Sequence, residues 1–161
     1  MIAEKGERIA KVLARAGLCS RREAERWIAD GRVAVGGETL TSAAINVNLT
    51  DAVTVDEKPL PACEPTRLWR YHKPPGLVTS HRDPQGRATV FERLPEVLPR
   101  VVSIGRLDRN SEGLLLLTND GGVARQLELP STGWTRRYRV RVHGAVVEAK
   151  LASLVEGITV S

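Results

Sequence analysis

Proline restricts this chain more than any other residue. It fixes φ, lacks an N–H and is excluded from helix interiors and central strands. All nine prolines of the 161 residues lie after residue 58. Three of them fall in one stretch, EKPLPACEP at 57–65, whose composition predicts a stiff linker. The linker divides the chain into a unit at 1–56 and a unit at 66–161. Charge divides with it. Residues 1–64 carry 9 basic and 10 acidic side chains, a net −1; residues 65–161 carry 15 and 9, a net +6. The overall +5 is an average of the two, and most of the basic residues are arginine, which suits bidentate contact to phosphate or carboxylate.

Several classes of protein are disfavoured at once. The longest purely apolar run, Leu114–Leu117, falls far short of the ~20 residues a helical membrane span needs. The N-terminus has no apolar signal core and carries Glu4 and Glu7, so a cytoplasmic chain without a membrane anchor is expected. Cys19 and Cys63 lack metal or redox spacing, and His72, His81 and His143 show no ligand spacing, so neither a disulfide framework nor a metal site is expected. With only six aromatic residues, the cores must be aliphatic.

In the first unit, Ile9, Val12, Leu13 and Ala16 form an amphipathic helical stripe, and Gly17 is placed to end it. Ser20-Arg-Arg-Glu23 fits a capping box opening a second helix, with Ala24, Trp27 and Ile28 inward and Gly31 closing it. Residues 32–40 alternate about Gly36-Gly37 as a hairpin, and Val53–Val55 is a further strand. Lys11, Arg15, Arg21, Arg22 and Arg26 cluster on and between the helices. Arg21 and Arg22 occupy a first helical turn, the wrong end for the macrodipole. An anion beside the free N–H groups would explain them, and so would plain solvation with pairing to Glu23 and Glu25.

In the second unit, Leu68–His72 reads as a strand ended by Lys73-Pro-Pro-Gly76. Residues 77–79 resume extended structure, and Thr89 caps a short helix over 90–94. Val101–Ile104 is a strand. It runs into the polar loop Gly105-Arg-Leu-Asp-Arg-Asn-Ser-Glu112, and the apolar strand 113–118 leaves it. Loops held between rigid strands are common seats of catalytic groups. Asp108 could serve as nucleophile, general base, metal ligand or local turn cap. A helix follows the Asn119-Asp-Gly121 turn. Residues 136–142 alternate as a strand, with Tyr138, Val140 and Val142 on one face and Arg137, Arg139 and Arg141 on the other. A helix through Ala149, Leu151, Leu154 and Val155 ends at Gly157, and a strand begins at 158–160.

Two stretches carry a resemblance. RIAKVLARAGLCSRREAERWIADGRVAVGG, within residues 7–55, resembles the alpha-L RNA-binding motif. GRLDRNSEGLLLLTNDG resembles the signature of pseudouridine synthases of the RsuA/RluB branch; YHKPPGLVTSHRDPQGRATVFERLP and PSTGWTRRYRVRVHG resemble its flanks, more in the manner of the large-subunit enzymes. The resemblance implies an α+β chain: two helices plus short strands, then part of a mixed, mainly antiparallel catalytic domain. It implies an isomerase without cofactor or metal that converts one uridine of ribosomal RNA, or its precursor, to pseudouridine after flipping it from the RNA. Asp108 aligns with the catalytic Asp. Tyr138 aligns with the residue that stacks on the target base, in R-x-Y-x-V where the family has K-x-Y-x-V, and Arg106 with the residue active in base extrusion. Lys11, Arg15, Ser20, Arg21 and Arg22 align with RNA contacts; Arg137 and Arg139 flank Tyr138 as further RNA contacts.

In that family the domain continues past residue 161, and a later segment supplies an Arg that pairs with the Asp. Nothing in 143–161 matches it. A buried Asp108 without this partner would have a raised pKa. A partial domain that binds RNA and isomerises weakly is therefore expected. Two rival readings are a non-catalytic RNA-binding or ribosome-assembly factor on the same scaffold, and a metal-dependent nuclease using Asp83, Asp108 and Asp120.

Overall fold

The computed structural model describes residues 6–48 and 50–159. Glu4 and Val160, the latter closing the strand expected at 158–160, lie outside them. The first unit opens with β1 (Glu7–Arg8), α1 (Ile9–Arg15) and α2 (Arg21–Ala29). Ile9 and Leu13 from α1, and Ala24 and Ile28 from α2, are at most 1% exposed and meet in one core with Cys19. The capping box forms: the Glu23 N–H donates to Ser20 Oγ at 3.2 Å, and the Ser20 N–H to Glu23 Oε2 at 3.3 Å.

The strands β2 (Val33–Val35), β3 (Glu38–Thr39), β4 (Asn46–Val47), β5 (Val53–Val55) and β6 (Lys58–Pro59) complete the unit. β1 pairs with β4, and an antiparallel sheet runs β3-β2-β5-β6. Gly36 and Gly37 both adopt positive φ, as a two-residue hairpin with right-handed strand twist requires. Part of the stretch expected to be linker is sheet: Val55 opposes Lys58, Thr54 opposes Pro59, and Leu60 packs on the core. The turn puts Asp56 and Glu57 in the left-handed region, and the Arg32 guanidinium clamps the Asp56 carboxylate with bonds of 2.8 and 2.5 Å. Pro59 fits because β6 is an edge strand.

The second unit is built on β7 (Leu68–Lys73), β8 (Val102–Ile104) and β9 (Gly113–Thr118), antiparallel in the order β7-β9-β8. Leu115 and Leu117 of the central strand are buried with Leu77, Val90 and Val101, and Trp69, Tyr71 and Phe91 pack against them. Leu114 is 66% exposed and Leu116 half-buried, so the leucines of β9 are fully buried on one face only. Antiparallel sheets permit this, and an all-Leu run conceals it. Thr89 and Glu92 cap a single 3₁₀ turn at Phe91–Arg93 reciprocally, in place of the longer helix expected there. The chain continues through α3 (Gly121–Glu128) to α4 (Glu148–Ser153), which runs on as a 3₁₀ turn to Glu156.

One expected strand does not form. Residues 136–142 pair with no strand among the described residues, and Tyr138, Val140 and Val142 are 62–75% exposed. Alternation alone does not make a strand: its N–H and C=O groups need a neighbouring ladder.

Candidate active site

β8 ends at Ile104, and Gly105, at φ 73°, turns the chain into the loop that carries Arg106 and Asp108. The loop returns at Gly113 as the central strand, so both its ends are fixed by the sheet. Asp108 is exposed rather than buried, as is Arg106, and no ion pair joins them among the described residues. Exposure follows from position, because the loop projects beyond the end of the sheet. The chain turns just after Asp108, across Arg109 and Asn110, where the Ser111 N–H donates to the Asp108 carbonyl at 3.1 Å.

Beneath the loop lies the least expected group of the chain. Lys73 ends β7 opposite Gly113 and is 0% exposed. Its ammonium donates to the carbonyls of Ser111 at 2.8 Å, Pro74 at 3.1 Å and Arg109 at 3.3 Å. Three donors meet three acceptors, which satisfies the buried cation. Burial lowers the Lys73 pKa, and the Asp108 carboxylate acts in the opposite direction. The Gly76 N–H adds a 2.7 Å bond to the Arg109 carbonyl. The backbone after Asp108 is thus held from below by the KPPG turn.

The basic residues of the first unit separate into two groups. Lys11 and Arg21, with Arg8, line a groove of about 360 Å³ between α1, α2 and the segment at Ala43-Ala44. Glu25 also lines it, and Lys11 pairs with Glu7 one helical turn away. Arg22 is exposed beside them on α2. The Ser20 hydroxyl oxygen is engaged in the helix cap. Arg15 points elsewhere. It donates to the Glu64 carbonyl at 2.8 Å and to Thr66 Oγ1 at 3.1 Å, and pairs with Asp120 at 3.3 Å. Thr66 in turn donates to Asp120 at 2.7 Å. Burial would push Asp120 up, but Thr66, the Gly122 N–H and Arg15 hold its carboxyl below the usual range.

Comparison with known proteins identifies the family. The RNA pseudouridylate synthase family model matches residues 67–158, and the S4 domain model matches residues 7–53. The chain belongs to the RNA pseudouridylate synthase family. An uncharacterized RNA pseudouridine synthase of Rickettsia felis is 53% identical over 138 residues, which is 86% of this chain and 60% of that protein. The ribosomal large subunit pseudouridine synthase B of Pseudomonas aeruginosa is 44% identical, covering 95% of this chain and 41% of the relative. Its Haemophilus influenzae namesake is 45% identical, covering 96% and 45%. The chain therefore spans at most about 60% of the length of these relatives.

Within this chain, the structure brings Arg106 and Asp108 onto one loop, and Lys11 and Arg21 into one groove. It withdraws Arg15 into the contact between the S4 domain and the synthase unit, because a planar fork fits a carboxylate, a carbonyl and a hydroxyl presented together. Tyr138, Arg137 and Arg139 stand exposed on a segment that belongs to no sheet. The three aspartates of the nuclease reading do not gather. Asp83 is bonded to Arg87, its carboxyl held down at about 2, and Asp120 caps α3 and holds Arg15. Sequence reasoning missed Lys73 and Arg8. The signal for Lys73 was its phase: it shares the inward side of β7 with Trp69 and Tyr71.

Proposed function

We propose that the protein isomerises one uridine of ribosomal RNA to pseudouridine in the cytoplasm, that the RNA is of the large subunit, and that Asp108 carries the chemistry. The observation behind this reading is a G-R-L-D loop with an exposed carboxylate, anchored to a three-stranded sheet in a chain of this family. The names of the synthase B relatives support the choice of subunit.

The reaction is balanced without an outside reagent. The N1–C1′ bond breaks, the uracil turns, a C5–C1′ bond forms, the C5 proton leaves and N1 gains a proton. A carboxylate at Asp108 can attack the sugar or stabilise its cationic form, then assist removal of the C5 proton. Exposure suits a group that must meet a base flipped out of folded RNA. Arg106, two residues earlier, fills the space the base vacates. Lys11, Arg21 and Arg22, joined by Arg8, hold RNA phosphates without reading sequence. Tyr138 provides the stacking face when residues 136–142 are ordered against the RNA or a neighbouring strand, with Arg137 and Arg139 on the phosphate side.

The test is Asp108→Asn in the full-length protein, with pseudouridine mapped on ribosomal RNA from a strain lacking the wild-type gene. Loss of one pseudouridine with RNA binding retained is the expected result. A modification that persists sinks the assignment. Ribosome-assembly defects that appear on deletion, but not with Asp108→Asn, favour the non-catalytic RNA-binding reading.

A further inference from the structure

Asp108 is held from two sides, and only one side is the lysine. Thr79 is 8% exposed, and its hydroxyl donates to the Leu107 carbonyl at 2.8 Å. The same oxygen accepts the Leu107 N–H at 3.4 Å. One side chain thus takes both polar groups of the residue immediately before Asp108. Thr79 is itself fixed. Its neighbour Val78 donates to the Ala88 carbonyl at 3.0 Å and accepts the Val90 N–H at 2.9 Å, and Val90 is fully buried. On the other side of Asp108, the Arg109 carbonyl is bound by Lys73 and by the Gly76 N–H. Asp108 therefore lies between two anchored peptides, and among the described residues its own exposed side chain makes no hydrogen bond.

We propose that Thr79 is a positioning residue for Asp108, one that aligns the carboxylate by clamping the Leu107 peptide; this rests on the reading of Asp108 given above. The clamp acts through the hydroxyl, not through bulk. Valine keeps the branched shape of threonine and leaves the Leu107 carbonyl without its donor, whereas serine keeps the donor and loses a methyl group. A carboxylate whose preceding peptide can rotate spends less time aligned with the sugar, so the chemical step slows while RNA contacts on the S4 domain are untouched.

The experiment compares wild type, Thr79→Val and Thr79→Ser in the full-length protein. Isomerisation is read as tritium release from large-subunit ribosomal RNA transcribed with C5-tritiated uridine, under single turnover. RNA affinity and amide exchange at Leu107 are measured in parallel. Thr79→Val is expected to slow tritium release on the order of 10- to 100-fold, as a displaced catalytic group does. Its RNA affinity stays within about twofold, because the loss falls on the transition state alone. Leu107 exchange rises in Thr79→Val, while Thr79→Ser restores both rate and protection to within about threefold of wild type. Wild-type turnover by Thr79→Val overturns the clamp and leaves the activity standing, and so does equal impairment of both variants. If no variant releases tritium, wild type included, the activity reading falls; Leu107 protection lost in Thr79→Val and kept in Thr79→Ser then still upholds the clamp.

Discussion

Replacing Lys73 with methionine isolates what the buried ammonium does. Methionine has nearly the same length and fills the same space, so the cavity contribution is small. What is lost is three charge-assisted bonds to the carbonyls of Pro74, Arg109 and Ser111. Bonds to a charged group are worth about 1.5–3 kcal/mol each, hence roughly 5–9 kcal/mol together. Against this, the variant no longer buries a cation, which returns several kcal/mol. The difference leaves a destabilisation of about 2–4 kcal/mol, and a unit of about 100 residues loses roughly 4–8 °C in Tm per kcal/mol. Calorimetry of Lys73→Met is expected to show the synthase unit melting on the order of 10–25 °C lower. The first unit supplies the control: amides of Leu13 and Ile28 sit in the other core and keep their exchange protection. Amides at 109–111 become faster to exchange, because their carbonyls lose the shared anchor. A Tm within 2 °C of wild type, about half a kcal/mol, would refute the reasoning, since it would mean that desolvation cancels all three bonds.

Three other outcomes are expected. Arg15→Ala removes the contact to Glu64, Thr66 and Asp120, so proteolysis within 60–66 accelerates about tenfold, corresponding to ~1.4 kcal/mol of lost local stability; unchanged cleavage would show that Arg15 does not hold the junction. Burial, with Glu23 assisting, raises the Cys19 thiol to about 11, while Cys63 is exposed, so one thiol per chain reacts with a disulfide reagent at pH 8 and Cys63→Ser abolishes the reaction. The bonds from Arg87 lower the Asp83 carboxyl to about 2 from an ordinary 3.8. A depressed folded pKa stabilises above the ordinary value and loses that contribution as pH falls through the folded one, so loop 83–87 loosens between about pH 4 and 2. A carboxyl titration near 4 in wild type, or one unmoved by Arg87→Gln, would contradict the pairing.

Local chemistry determined a large part of this protein by itself. The stripes of α1 and α2, the Ser20–Glu23 capping box, the Gly36-Gly37 hairpin and the strand-loop-strand around Asp108 all depend on residues a few positions apart, and each forms. Only tertiary structure decided how the charges are used. Arg15 and Lys11 lie one helical turn apart and read alike in sequence. One meets a carboxylate 105 positions away, and the other a glutamate four positions earlier, just ahead of its own helix. Lys73 reads as the start of the turn that ends a strand, yet its register opposite Gly113 sets its ammonium under the loop of Asp108. Pro59 reads as linker until β5 provides an edge to pair with. Residues 136–142 read as strand, and without a partner ladder their alternation is unused. Periodicity reports which side of an element is apolar. Which distant backbone or charge then stands on that side depends on contacts between residues far apart in the chain, and no local pattern encodes them.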